Sequence, residues 1–147
     1  MGQLSVGVVG VGHHGRQHVR IYRELSGVVL SAIVDTDSER RKRASTEWGV
    51  PTCADYREMT SLVDAVSIAT PTATHHKIAH HFLSSGKHVF LEKPMASTVE
   101  EAEDLIRLAD RNGRVLQIEH VERFNPAIKA LTRLLCDPRF IECHRLS

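Results

Sequence analysis

Residues 6–22 read VGVVGVGHHGRQHVRIY, and the fold turns on how this stretch divides. Leu4 to Gly10, LSVGVVG, is a β-branched apolar run with nothing polar after Ser5, as in a strand covered on both faces. From His13 to Leu25 the period changes: Val19, Tyr22 and Leu25 recur at helical spacing, and Gly27 is a natural stop. Between strand and helix, Gly10, Gly12 and Gly15 stand in the spacing G-x-G-x-x-G. Gly10 permits a tight turn, Gly12 lets backbone approach a pyrophosphate, and Gly15 lets the helix close on the strand. The free N–H groups and positive dipole end of the helix then favour an anion.

The same alternation continues along the chain. Val28 to Asp35 predicts a second strand, Thr36 to Trp48 a polar helix ended by Gly49, and Val50 to Ala54 a weak strand. A short helical turn over Asp55 to Met59 follows, then a strand over Asp64 to Thr70. Thr74 to Ser84 predicts a helix with Ile78, Ala79, Phe82 and Leu83 on one face, and Lys87 to Pro94 a strand. Ser97 with Glu100 reads as a capping box for a helix that buries Val99, Ala102, Leu105, Ile106 and Ala109. Arg114 to His120 is a sixth strand, and Glu122 to Leu135 a last helix with Phe124, Ile128, Leu131 and Leu135 in a stripe. After Pro138 another alternating strand begins. Strand–helix alternation with short connections predicts an α/β fold, a Rossmann-type doubly wound parallel sheet covered on both faces. We expect residues 1–121 to be a dinucleotide-binding domain.

Composition bounds the function. The 147 residues are 41% hydrophobic and 25% charged, with a formal net charge of +1, which gives no basic field for nucleic acid. No apolar run approaches a membrane span, and the N-terminus lacks a secretion signal. Cys53, Cys136 and Cys143 are odd in number and far apart, so neither a disulfide framework nor a zinc site is indicated; a reducing cytoplasm is the default. The run Arg40 to Arg43 reads as a solvated helix face.

Asp35 gives the glycine loop its meaning. It ends the second predicted strand, 20 residues past Gly15, where a carboxylate accepts hydrogen bonds from the adenosine ribose and repels a 2′-phosphate. NAD is therefore the expected cofactor, with Arg40 and Arg41 keeping NADP open. Histidines are abundant, ten in all. His14/His18 and His76/His80 stand at i, i+4, but no H-E-x-x-H or cysteine partner accompanies them, so no metal is expected. His13 and His14, inside the loop, are candidate cofactor contacts.

Three further motifs, ATPTATHH (69–76), LEKP (91–94) and EHVERFNPAI (119–128), complete a resemblance to the N-terminal half of the Gfo/Idh/MocA oxidoreductases, covering essentially the whole chain. The resemblance implies that Lys93 is catalytic, beside the nicotinamide and substrate, with Glu92 and Pro94 shaping its loop and the Lys93–Pro94 peptide commonly cis. It implies Thr70, Pro71 and His75 as cofactor-wall residues, with Thr72 departing from the asparagine that many relatives carry. Glu92 and Lys93 join the cofactor contacts, and His120, Arg123 and Asn125 are candidate substrate contacts where the sixth strand opens. It also implies a second, α+β substrate domain, truncated here, of which residues 122–147 are the linker helix and first strand; that domain supplies a catalytic His or Asp and builds a homo-oligomer, and His144 does not match that His. The expected activity is oxidation of a sugar, cyclitol or nucleotide-sugar hydroxyl by hydride transfer, with this chain as the cofactor half, poorly active alone. ERFNP (122–126) resembles relatives acting on nucleotide-linked amino sugars. A stand-alone NAD-binding regulatory or redox-sensing module is the alternative, though it leaves Lys93 without a purpose. A Rossmann enzyme of another family explains Gly10 to Asp35 equally well but leaves EKP and ERFNP unexplained.

Overall fold

Val6, Gly7, Val8 and Val9 are buried in succession in β1 (Leu4–Val9), so this strand is covered on both faces. The computed structural model describes residues 2–134 together with residues 137, 139, 140 and 142. In it β1 is central to a parallel sheet with β2 (Val28–Val34), β3 (Thr52–Cys53), β4 (Ala65–Ile68), β5 (His88–Leu91) and β6 (Leu116–Ile118). The strand order is β3-β2-β1-β4-β5-β6. In register, Val9 of β1 stands beside Val34 of β2 and Ile68 of β4, and Ile68 beside Leu91 of β5. The chain winds one way from β1 to β3 and the other way from β4 to β6, so the strand order reverses between β1 and β4. That is where an open α/β sheet leaves a crevice at its carboxyl edge. The doubly wound expectation holds for the described residues.

The pleat sends alternate residues to two cores. Val8 and Ile33 meet Val19 of α1 (His13–Glu24) and Ala44 of α2 (Ser38–Trp48). Val9, Val34, Ile68 and Leu91 meet Ile78, Ala79, Phe82 and Leu83 of α3 (His75–Ser84) and Leu105 and Leu108 of α4 (Val99–Asn112). Met59, on a 3-10 helix over Tyr56–Leu62, fills the face opposite Gly7, where any Cβ would collide with its methyl group. This segment was expected as a shorter turn.

Three local expectations are corrected. The cap of α4 is Thr98, whose Oγ1 accepts the Glu101 N–H at 3.2 Å, while Ser97 N–H donates to Glu101 Oε2 at 3.0 Å. The capping pattern is one residue later than Ser97 and Glu100 suggested. Packing on α3 selects Leu105, Leu108 and Ala109 as the buried face and leaves Val99 and Ile106 exposed. The last helix is interrupted: a 3-10 turn over Val121–Phe124 precedes α5 (Pro126–Leu134). Pro126 has no N–H to continue a helix from residue 122 but suits a first helical position, and Asn125 Oδ1 accepts the Ala127 N–H at 2.9 Å as a new cap. Phe124, Ile128 and Leu131 are all exposed. Leu135, most of the strand expected after Pro138, and His144 lie outside the described residues. No helix among the described residues is long and apolar enough to cross a membrane.

Candidate functional site

The three glycines of the loop do different work. Gly10 has φ 87°, and a Cβ there would stand 2.6 Å from the Ala69 carbonyl oxygen. A Cβ on Gly15 would run into the Gly10 carbonyl, so helix and turn touch backbone to backbone. Gly12 is different: its nearest neighbour would be Arg40 Nη1 at 3.9 Å, and no other described residue needs it bare. The space above Gly12 is space for a ligand. The start of α1 adds unpaired N–H groups, since its N-cap Gly12 offers no side chain.

Asp35, at the end of β2, is buried, and both of its oxygens face backbone N–H groups: Oδ2 accepts from Val11 at 2.9 Å and Oδ1 from Asp37 at 2.9 Å. It therefore braces the glycine loop and presents its remaining lone pairs to the crevice. Arg40 Nη1 lies 3.7 Å from Asp35 Oδ2. Arg41 folds back instead, donating from Nη1 to the carbonyls of Asp35 at 2.7 Å and Thr36 at 3.0 Å. The basic run is thus not simply a solvated face. A cleft of about 520 Å³ opens here, lined by Gly10, Gly12, Asp35, Thr36, Arg40, Ala54, Tyr56, Thr70, Pro71, Thr74 and Ile78. Its size and its apolar walls with a few polar groups suit a nucleotide. On the far side of Gly12, a hollow of about 240 Å³ is lined by His13, Arg16, Arg40, Arg43 and Trp48. The fit to a dinucleotide is good: an acidic wall, a bare backbone position and open helix N–H groups converge on one crevice.

At the end of β4, Thr70 and Pro71 line the cleft. His75 does not. It is 1% exposed, with Nδ1 2.9 Å from the Pro94 carbonyl oxygen and Nε2 2.8 Å from the Thr70 carbonyl oxygen. The ring is a strut between two strand-end loops rather than a cofactor-wall residue. The loop it holds carries Lys93, whose peptide to Pro94 is cis. Lys93 is exposed at the end of β5, outside the residues that line the nucleotide cleft.

Glu92 points the other way, into a buried cluster below the loop. Its Oε1 lies 3.3 Å from His14 Nδ1 and 3.7 Å from His18 Nε2, yet makes no hydrogen bond among the described residues. His18 Nε2 is 3.2 Å from Glu119 Oε2, and its Nδ1 is 2.6 Å from the Ser67 hydroxyl. Burial, then the Glu92 hydrogen bond and charge, raise the Glu119 carboxyl to about 7, with Lys93 opposing. Burial would also raise Glu92, but hydrogen bonding with Glu119, the charge of His14 and the Lys93 N–H bring it below the usual carboxylate range. Burial lowers His18, Glu92 partly restoring it. Glu92, expected as a cofactor contact, faces α1 and β6 and does not line the nucleotide cleft. His13 and His14 stay exposed at the loop, rings edge to face at 5.3 Å.

His120 and Arg123 are exposed beyond β6. Asn125 is engaged locally, capping α5 through Oδ1 and donating from Nδ2 to Glu122 at 2.8 Å. The sequence reading missed Tyr56, Thr74 and Ile78 as cleft residues, and Glu119 and Ser67 as partners of His18. One signal existed: Glu119 is a carboxylate at the mouth of a buried strand, where an acid needs a partner.

Comparison with known proteins places these features in context. A family model described as an oxidoreductase family with an NAD-binding Rossmann fold matches residues 4–120. UDP-N-acetylglucosamine 3-dehydrogenase of Acidithiobacillus ferrooxidans is 37% identical over 145 residues, which are 98% of this chain and 46% of that protein. A crystal structure of the same relative superposes with a TM-score of 0.83 at 36% identity, covering 91% of this chain and 44% of that one. Scyllo-inositol dehydrogenase from Lactobacillus casei, solved with NAD(H) and scyllo-inositol, gives a TM-score of 0.83 at 26% identity, covering 90% of this chain and 40% of that one. The chain spans less than half the length of each of these relatives.

Proposed function

The chain belongs to the Gfo/Idh/MocA oxidoreductase family, and from that premise we propose that it is the NAD-binding part of a dehydrogenase acting on a sugar-like hydroxyl, most specifically that of a nucleotide-linked amino sugar. The observation that carries the reading is Gly12: a bare backbone position that no neighbour in the chain requires, set between Asp35 and the start of α1. Thr70 and Pro71 form the opposite wall. When bound, the nicotinamide supplies a hydride acceptor. Lys93 supplies the polar chemistry: its ammonium hydrogen-bonds the substrate hydroxyl, fixes it in place and stabilises the negative charge that develops on the oxygen. His75 holds the loop that carries Lys93. The substrate class rests on the 37% identity to the UDP-N-acetylglucosamine 3-dehydrogenase across nearly all of this chain, and on the ERFNP motif.

We place the domain boundary at residue 121, with residues 122–147 leading into a substrate domain. Phe124, Ile128 and Leu131, apolar and exposed, support that placement. His120 and Arg123, beside this boundary, remain the candidate substrate contacts, and a homo-oligomer in the cytoplasm completes the reading. The hollow beside Arg40 and Arg43 keeps NADP open as a second cofactor.

Paired NAD and NADP titrations on this chain, followed by a panel of UDP-amino sugars and cyclitols on the longest protein that contains it, test the proposal. NAD binding at micromolar affinity and turnover of a UDP-amino sugar are expected. Absence of dinucleotide binding overturns the cofactor reading. Binding with turnover of cyclitols alone overturns only the substrate class.

A further inference from the structure

The i, i+4 histidine pair His14/His18 lacked, in the sequence, any carboxylate partner. The fold supplies two. Glu92 at the end of β5 and Glu119 at the end of β6 converge on the face of α1 that carries both histidines. The ligand atoms of His18, Glu92 and Glu119 all lie within 4.8 Å of one another. Three edges of the cluster are measured: 3.3 Å from His14 Nδ1 to Glu92 Oε1, 3.7 Å from Glu92 Oε1 to His18 Nε2, and 3.2 Å from His18 Nε2 to Glu119 Oε2. Ligands held about 2.0–2.2 Å from a tetrahedral ion are separated by roughly 3.3–3.6 Å, so these edges already outline a coordination shell.

Two further observations point to a cation. Glu92 is 7% exposed, and among the described residues no group hydrogen-bonds its buried Oε1, although both imidazoles lie near it. A buried carboxylate oxygen without a donor is a costly arrangement that a metal ion removes. His18 also has the outer partner that metal-binding imidazoles use: Nδ1 sits 2.6 Å from the Ser67 hydroxyl, which is fully buried and fixes the ring with Nε2 towards the carboxylates. His14, exposed in the glycine loop, is the adjustable fourth arm.

We propose that His14, His18, Glu92 and Glu119 form a binding site for one zinc-class divalent cation. Two imidazoles and two carboxylates are a nitrogen–oxygen donor set suited to zinc, cobalt or manganese rather than to calcium. The ion ties α1 to the ends of β5 and β6 and so clamps the segment that carries Lys93. The site is separate from the nucleotide cleft: none of its four residues lines that cleft. The inference therefore does not depend on the proposed dehydrogenase activity.

Cobalt(II) titration of this chain, after chelator treatment and buffer exchange, tests the site directly. The expected result is a visible d–d absorption band that saturates at one equivalent and is bleached by zinc. His18→Gln and Glu119→Gln should each weaken binding ten-fold or more. The double variant His76→Ala/His80→Ala removes the half-buried and exposed pair beside Asp104 and should leave binding unchanged. Glu119 is partly accessible, so Glu119→Gln keeps the test valid should His18→Gln disturb folding, which circular dichroism reports. No saturable band, or a band lost only in the His76/His80 double variant, overturns the proposal.

Discussion

Asp35 Oδ2 accepts the Val11 N–H at 2.9 Å, which makes the acidic residue at the end of β2 a brace of the glycine loop as well as its wall. Its other oxygen holds the Asp37 N–H. Asp35→Ala leaves both N–H groups without their acceptor, at a cost of roughly 2–4 kcal/mol in total. Asp35→Asn keeps one carbonyl oxygen and should lose about half as much. Both variants should narrow the preference for NAD over NADP, because the 2′-phosphate no longer meets a carboxylate. Urea denaturation and paired titrations read the two effects separately. An Asp35→Ala chain as stable as wild type would remove the bracing role.

Gly12 and Gly15 belong to one motif but should respond oppositely to the same substitution. Gly12→Ala meets open space at an ordinary negative φ, −67°, so stability should change by no more than about 0.5 kcal/mol while NAD affinity falls ten-fold or more. Gly15→Ala forces a methyl group onto the Gly10 carbonyl and should destabilise the fold by about 2 kcal/mol or more. Thermal melts beside isothermal titration distinguish them. Equal destabilisation by the two variants would mean that Gly12 is structural.

This contrast also shows where the sequence was informative. The loop was legible because strand, glycines and helix are contiguous, and local spacing alone determines their geometry. The parallel, doubly wound sheet followed from alternation and handed crossovers, while its strand order did not. The wall residue His75 was misplaced because its partners, the carbonyls of Thr70 and Pro94, are main-chain atoms that no side-chain pattern reveals. Glu119 went unrecognised because its partner His18 lies 101 positions away. The break at Pro126 could have been read from local chemistry: Asn-Pro after a short run is a cap followed by a first helical residue. The stripe through Phe124 obscured it.

In the proposed function Lys93 meets the substrate hydroxyl, while His75 holds the loop that carries it. In the longest protein that contains this chain, Lys93→Ala should leave NAD affinity within about three-fold and cut turnover by roughly 10² or more. Loss of NAD affinity equal to the loss of turnover would make Lys93 structural.

His75→Ala removes a fully buried ring and the N–H it donates between the Thr70 and Pro94 carbonyls, with an expected loss of about 2–4 kcal/mol. NAD affinity should fall less than turnover, since Thr70 and Pro71 remain in the cleft while the Lys93 loop is released. A variant of unchanged stability would show that the ring bears no load between the two loops.

His81 gives the fold a pH dependence that can be isolated. Thr60 Oγ1 donates to the Arg57 carbonyl at 2.8 Å, so its lone pair receives the His81 Nε2–H, also at 2.8 Å. Burial lowers the His81 pKa below 6.5, the charges of Arg57 and His80 add to this, and Asp55 opposes them. The unfolded chain therefore binds more protons than the folded one just below pH 6.5, and by linkage stability falls as pH drops through that window. The loss levels off once folded His81 itself protonates. His81→Phe keeps the ring contacts with Tyr56 and Phe82 but cannot titrate. Its melting temperature relative to wild type should rise as the pH falls from 7.5 to 5, and the subtraction cancels the contribution of His18 and the other histidines. A difference that stays flat across that range would mean that His81 titrates alike in the folded and unfolded chain.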